Sequence, residues 1–403
     1  MWAICRGTLA SGGAATAALV AKKALNASNL EISLLYSAGG IGLLTTLALA
    51  GWMHRHKMMP FVVWPEAIAR AAFILVAFAA GSWTFTLCAS LAYAAGSTIR
   101  PAEARLYKSN YPDEIRGRVF GLVRRGMVVA HLASAQVIGI SLDRHPELYG
   151  LIYPLLGFIG LLGTLSVSRI KVQGEGQFAK NASGQALGDV WRIIITDRPY
   201  VAFILIWGLF GFSYSIVGPV KAIYLADPEQ GFNASYAASL LILVVLPGAL
   251  TFITLPLWGR ALDRIPVASL RIPQLILVTV SAFLWAVGGS LWVLAVAGLL
   301  SGIASGGGQI MGNIGLFEFA ERKNVSLYVS IHTTLLGMRM LIGPQIGRLI
   351  VEHSGVRSAF WVSACIAGLS IILMSALAKG MHNRRIGRYG QLDEPSAVVV
   401  SEQ

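Results

Sequence analysis

Glu66 and Arg70 lie four residues apart in an otherwise apolar run, a spacing that puts both side chains on one face of a helix. Such a pair has two uses. Held closed, it is a structural ion pair. Opened and re-protonated, its carboxylate can carry a proton, because burial and a neighbouring cation pull its proton affinity in opposite directions. His131, in another apolar run, either titrates near neutral pH or packs as a neutral ring. Arg339 differs from both, since no acidic residue lies within four positions of it. A charge in hydrocarbon costs on the order of 3 kcal/mol, so Arg339 needs a partner from another segment or an anionic ligand. Arg6, Arg124, Arg125 and Arg348 sit nearer the ends of their runs, where long side chains reach the headgroups. Cations outnumber acids in these runs, which points to handling of an anionic or zwitterionic solute. Bond-making chemistry has no support: there is no His-Glu-x-x-His, no Gly-x-Ser-x-Gly and no phosphate-cradling loop. The sequence therefore predicts no enzyme, no cofactor and no metal site.

The elements that position these residues are membrane helices. Of the 403 residues, 55% are hydrophobic and 13% charged, far from a soluble composition. Mean hydropathy is +0.66. Crossing about 30 Å of hydrocarbon takes about 20 helical residues. Twelve spans are expected, near 2–20, 30–52, 59–79, 81–99, 119–141, 149–168, 200–220, 235–257, 272–288, 290–315, 327–350 and 358–378. The first is the weakest, being rich in Gly and Ala and holding Arg6; it has features of a signal peptide, but Lys22 and Lys23 follow it directly and another span begins near Asn29.

One set of alternate loops holds most of the Lys and Arg, among them Arg55, Lys57, Arg100, Arg116, Arg169, Arg198, Arg260, Arg264, Arg271 and Arg322. The other set holds only Lys22, Lys23, Arg144, Lys221 and Arg357. Basic loops face the cytoplasm, which predicts a multi-pass protein of the cell membrane with both termini inside. The formal charge of +13 is then a response to the inner leaflet of the bilayer, not to nucleic acid. Cys5, Cys88 and Cys365 fall within apolar runs and read as small hydrophobes. The Asn-x-Ser sites at Asn26, Asn181, Asn233 and Asn324 read as chance.

The longest polar stretch before the tail, 169–198, divides the chain into residues 1–168 and 199–379, with a polar tail over 380–403 that is expected to be disordered. The end of the stretch, with Trp191, Ile194 and Ile195 at helical spacing, reads either as a helix on the membrane surface or as a plain linker. The halves repeat weakly. Placing Gly139 on Gly347 puts His131 opposite Arg339, and Asp143 close to Glu352. Gly298, Gly302 and Gly306 form a flat ribbon suited to close helix packing.

Gly259-Arg-Ala-Leu-Asp263-Arg264 resembles the signature loop of the major facilitator superfamily, a Gly followed four residues later by Asp-Arg. The six-plus-six plan, the basic central loop, Arg116-Gly117-Arg118 before span five and Gly343-Pro344-x-x-Gly347 in span eleven are similar to that superfamily too. The corresponding first-half loop, Gly51–Lys57, departs from the pattern, with His54 or Arg55 where Asp is expected. The resemblance implies an all-α integral membrane fold, twelve transmembrane helices in two pseudo-symmetric six-helix bundles. It implies a monomeric secondary transporter that moves a small-molecule solute by alternating access; a non-transporting receptor or scaffold is the rival, because of the altered loop. Spans one, four, seven and ten would line the cavity, which carries Tyr93, Thr84 and Thr86, Trp207, Ser213 and Tyr214, and Gln309 and Asn313 into it beside Arg339 and His131. Glu66, Arg70 and His131 are the coupling candidates. Gly259, Asp263, Arg264, Arg55, Arg116 and Arg118 would form the cytoplasmic gate.

Overall fold

The computed structural model describes residues 1–392 except 54–55, 100–101, 104–105, 107–108, 171, 173–186, 314 and 320–324. Its described residues form helices and no strand. The first span is broken into α1 (Trp2–Ala10) and α2 (Ala14–Lys23). Spans two to six are α3 (Asn29–Met53), α4 (Met59–Leu75), α5 (Ser82–Ser97), α6 (Asp113–Arg144) and α7 (Tyr149–Ser168). A short amphipathic helix, α8 (Leu187–Thr196), leads into α9 (Arg198–Ala226). Then come α10 (Tyr236–Leu262), α11 (Val267–Val287), α12 (Leu291–Asn313), α13 (Val325–Ser354) and α14 (Val356–Leu392). The expected dozen is present. Among the described residues, nine spans are long and apolar enough to cross a bilayer by length and composition alone. The last helix continues past residue 379 to Leu392, with no proline before Pro395 to stop it.

Local chemistry sets the helix ends. Pro60 and Pro199 occupy first-turn positions, where a missing amide donor costs nothing. Asp197 caps α9 by accepting from the Tyr200 amide at 3.1 Å, and Glu318 accepts from the Val267 amide at 2.8 Å at the start of α11. The tripeptide Asn-Ala-Ser recurs at matching turns of the two halves, Asn26-Ala27-Ser28 between spans one and two and Asn233-Ala234-Ser235 between spans seven and eight. Both asparagines are left-handed, with φ of 52° and 44°. Both alanines are buried, and both serines cap the next helix: the Glu31 amide donates to Ser28 Oγ at 3.4 Å and the Ala238 amide to Ser235 Oγ at 3.1 Å. The two sites are thus a shared structural device.

The glycine ribbon packs as expected. A methyl group at Gly298 would stand 2.7 Å from the Ile242 carbonyl oxygen, and one at Gly302 2.7 Å from Pro247 Cα. At Gly306 it would stand 2.7 Å from Thr254 Oγ1, so the whole ribbon lies against α10. Within α10, Leu241–Val245 is a π-turn. Its cause is local: Pro247 has no amide to donate to the Leu243 carbonyl.

Contacts between the bundles gather at the end of the molecule opposite the basic loops. Lys22 Nζ lies 2.9 Å from Asp227 Oδ2, and Lys23 Nζ donates to the Ala234 carbonyl at 2.6 Å. Asp143, at the end of α6, accepts from the amides of Tyr236 and Ala237 at 2.5 and 3.0 Å, capping α10 across the divide. Deeper in, Gln345 on α13 bridges Ser33 and Ser37 on α3 at 3.0 and 3.1 Å. Gly40 lies so close to α13 that a methyl group there would stand 2.7 Å from the Leu341 amide nitrogen.

Candidate functional site

Trp207, Gly211, Tyr214, Gly218 and Lys221 recur on α9 at alternating steps of four and three, so they share one face. At 1.5 Å per residue the stripe is about 21 Å long. Its two glycines admit side chains from other helices. A methyl group at Gly211 would overlap the guanidinium of Arg339, which lies across α9 there and donates a long hydrogen bond, 3.4 Å, from Nη1 to the Trp207 carbonyl. At Gly218 a methyl group would stand 3.1 Å from the Tyr36 ring, which comes from the other bundle.

Beside Arg339 lies a second guanidinium. Arg271 is 1% exposed, and its Cζ is 3.6 Å from the centroid of the Trp207 ring. His332 stacks on Trp207 at 4.0 Å with an interplanar angle of 21°. Arg271 Nη1 donates to Gln274 Oε1 at 2.6 Å, and Gln274 Nε2 donates onward to the Ala304 carbonyl at 3.1 Å. Arg271 Nε and Nη2 and Arg339 Nε are buried with no acceptor, and among the described residues neither guanidinium forms an ion pair. Two neighbouring cations without a carboxylate make a strongly electropositive pocket, which an anion would neutralise.

Further along the stripe, a cavity of about 150 Å³ opens between the bundles. Ala15 and Tyr36 wall it from one bundle, and Tyr214, Lys221, Trp285 and Ser301 from the other. The broken first span borders it. Ser11–Gly13 interrupts the helix, and the Tyr93 hydroxyl donates to the Gly12 carbonyl at 2.8 Å, satisfying backbone that the break exposes.

The other expected cavity residues are dispersed. Ser213 Oγ donates to the Phe210 carbonyl at 2.7 Å and Thr84 Oγ1 to the Gly81 carbonyl at 2.9 Å, both within their own helices; Thr86 is buried without an acceptor. Gln309 is exposed on α12, and the Asn313 side chain lies outside the described residues. His131 is partly buried on α6, its Nδ1 without a partner. Glu66 and Arg70 lie inside the first bundle at 3.2 Å, 0% and 3% exposed, and Thr164 Oγ1 donates to Glu66 at 2.9 Å. Nearby, Arg6 meets Glu103 at 2.8 Å.

At the basic end, Asp263 and Arg264 are exposed, and their side chains make no ion pair with described residues. Gly259 has open space where a side chain would be. Arg55 and the side chains of Arg116 and Arg118 lie outside the described residues.

A family model for the Major Facilitator Superfamily matches residues 3–266 and 209–388, almost the whole chain. The chain belongs to the major facilitator superfamily. Solved structures of superfamily members share the fold. A point mutant of the nucleoside transporter NupG aligns with a TM-score of 0.76 at 12% identity, over 93% of this chain and 98% of that one. The xylose transporter XylE from E. coli, in a partially occluded inward-open conformation, aligns with a TM-score of 0.66 at 13% identity, over 93% of this chain and 96% of that one. No curated protein matches by sequence. As a superfamily member the chain is a multi-pass membrane protein with the architecture of a secondary transporter.

Two residues of the site escape a reading of the sequence by charge. Counting basic residues places Arg271 and Lys221 in loops, yet Arg271 lies a turn inside α11 and Lys221 lies within α9. A signal exists for each. Pro266 fixes the start of α11 early enough to bury Arg271, and Lys221 falls on the 207–211–214–218 face. Among the described residues, no three His, Cys, Asp or Glu side chains converge on a metal-sized point.

Proposed function

We propose that this superfamily member carries a small anionic solute along the α9 face between the two bundles. The observation that carries the reading is the pair of buried Arg271 and half-buried Arg339, side by side with unfilled donors and no acid among the described residues. Desolvating one cation costs several kcal/mol, and neighbouring cations add to that cost. A bound anion offsets both.

The basic end faces the cytoplasm, on the charge asymmetry of the loops. Polar contacts close the opposite end through Lys22, Lys23 and Asp143, whereas Asp263 and Arg264 are exposed and make no ion pair with described residues. This supports a conformation open to the cytoplasm, with Gly259, Asp263, Arg264, Arg55, Arg116 and Arg118 closing the gate in the alternate state. The Glu66–Arg70 pair is enclosed in the first bundle and held by Thr164, which supports a structural role over proton coupling.

The test is uptake of radiolabelled organic anions into proteoliposomes by wild type, Arg339→Gln and Arg271→Gln. Both variants should insert and fold but lose anion uptake. Unchanged uptake by both would refute the reading.

A further inference from the structure

We propose that the solute is a small monocarboxylate with a planar, ring-sized body, and that it is held at Lys221 in the cavity between the bundles. This rests on the anionic reading above and narrows it to a chemical class and a site.

The Lys221 ammonium makes no hydrogen bond or ion pair with any described residue. It stands 5.5 Å from the centroid of Tyr214 and 5.4 Å from that of Trp285. Two such ring contacts return about 0.5–1 kcal/mol each. An ammonium in hydrocarbon costs on the order of 3 kcal/mol. The rings therefore do not compensate for the half-buried charge, and the remaining valence faces the cavity it lines. Tyr36 and Tyr214 line the same space, and their hydroxyls make no hydrogen bond to described residues. One ammonium and two phenols supply three donor groups to one chamber, enough to serve a carboxylate's two oxygens.

Size decides the rest of the molecule. A cavity of about 150 Å³ is of the size that a benzene-sized body fills. The other walls are the faces of Tyr36, Tyr214 and Trp285 with Ile242, Leu243 and Pro247, flat or aliphatic surfaces suited to a ring. The ammonium and the Arg339 guanidinium flank Tyr214 along one helix face, so the carboxylate has a second cation to pass to as it leaves.

The experiment uses the full chain in nanodiscs with benzoate as probe, benzamide as its neutral counterpart and anthracene-9-carboxylate as its oversized one. Binding is read by titration calorimetry and by quenching of tryptophan fluorescence. Benzoate should bind saturably, and both comparison compounds at least tenfold more weakly. Lys221→Met should lose at least tenfold in benzoate affinity, and Tyr36→Phe severalfold, with melting temperatures little changed, because the first gives up only two weak ring contacts and the second no hydrogen bond to a described residue. Equal benzoate affinity in wild type and Lys221→Met would overturn the inference, as would benzamide binding as tightly as benzoate. Sulfate or citrate binding that depends on Arg339, with no benzoate binding, would sink this inference and leave the anionic reading standing. Loss of all anion binding would sink both.

Discussion

The two bundles treat buried charge in opposite ways. In the first, among the described residues, each buried or half-buried arginine of the interior meets a carboxylate: Arg70 meets Glu66 at 3.2 Å and Arg6 meets Glu103 at 2.8 Å. In the second, Arg348 near the end of α13 meets Glu352 at 2.6 Å, but the site residues Arg271, Arg339 and Lys221 meet rings, an amide and a carbonyl and no acid among the described residues. Burial and charge alike are comparable, so the difference is one of purpose. A neutralised pair holds helices together, while an unneutralised cation, on the anionic reading proposed above, holds a place for something that comes and goes. Removing charge from the first bundle should therefore damage folding, and removing it from the second should damage transport.

The largest expected effect is on the first bundle. Glu66→Leu leaves Arg70 buried without a counter-charge and should destabilise the fold by about 3–5 kcal/mol. It would be seen as a lower melting temperature in detergent, with Glu66→Leu/Arg70→Met regaining most of the loss. If Glu66→Leu melts as wild type but fails to transport, the comparison breaks and proton coupling returns. Next, Arg339→Gln should weaken anion binding on the order of 100-fold, as when one side of a buried charged contact is lost, without lowering the melting temperature. Gly211→Ala sharpens the point, since it keeps the charge but removes the space into which the guanidinium fits. Its binding defect should approach that of Arg339→Gln.

The smallest effect belongs to the closed end. Asp143→Asn should shift the conformational balance by about 1 kcal/mol, read as a broader distance distribution between spin labels on α6 and α10. Acid should act there through Asp227. Burial opposes its ionisation, but the Lys22 ammonium and the amides of Gln230 and Glu229 outweigh that and hold its carboxyl below the ordinary 3.8. A depressed carboxyl stabilises the folded contact above its ordinary range, and that contribution fades as pH falls through the lowered value. The spin-label distances should therefore stay constant from pH 7 to 5 and spread only in stronger acid. Spreading already at pH 6 would assign the closure to another group.

Much of this architecture is legible in the residues. Uncharged runs of membrane length give the dozen spans, and the missing acid near Arg339 singles it out without any geometry. The rest depends on distances that spacing does not encode. Charge counting places Arg271 and Lys221 outside the hydrocarbon because it treats every cation near a span end as a loop residue, whereas Pro266 and the α9 periodicity draw both inward. Span order groups Tyr93 with the cavity, and its hydroxyl in fact donates to the Gly12 carbonyl. No pattern in Ala10–Ala14 distinguishes a break in the first span from a continuous glycine-rich helix. The closing contacts at Asp143 are unreadable for another reason, because they join residues 93 and 94 positions apart.

The wide turn at Leu241–Val245 has a consequence for the shape of the chamber. It holds one residue more than a regular turn would, and Ile242 and Leu243 within it form part of the wall beside Lys221. Deleting a single residue there would restore the regular winding and leave the helix beyond it in register, while removing the local bulge that carries these two aliphatic side chains to the wall. The contour of that wall is thereby tied to chain length at one position, so that a one-codon deletion would reshape the chamber while leaving every charged residue untouched.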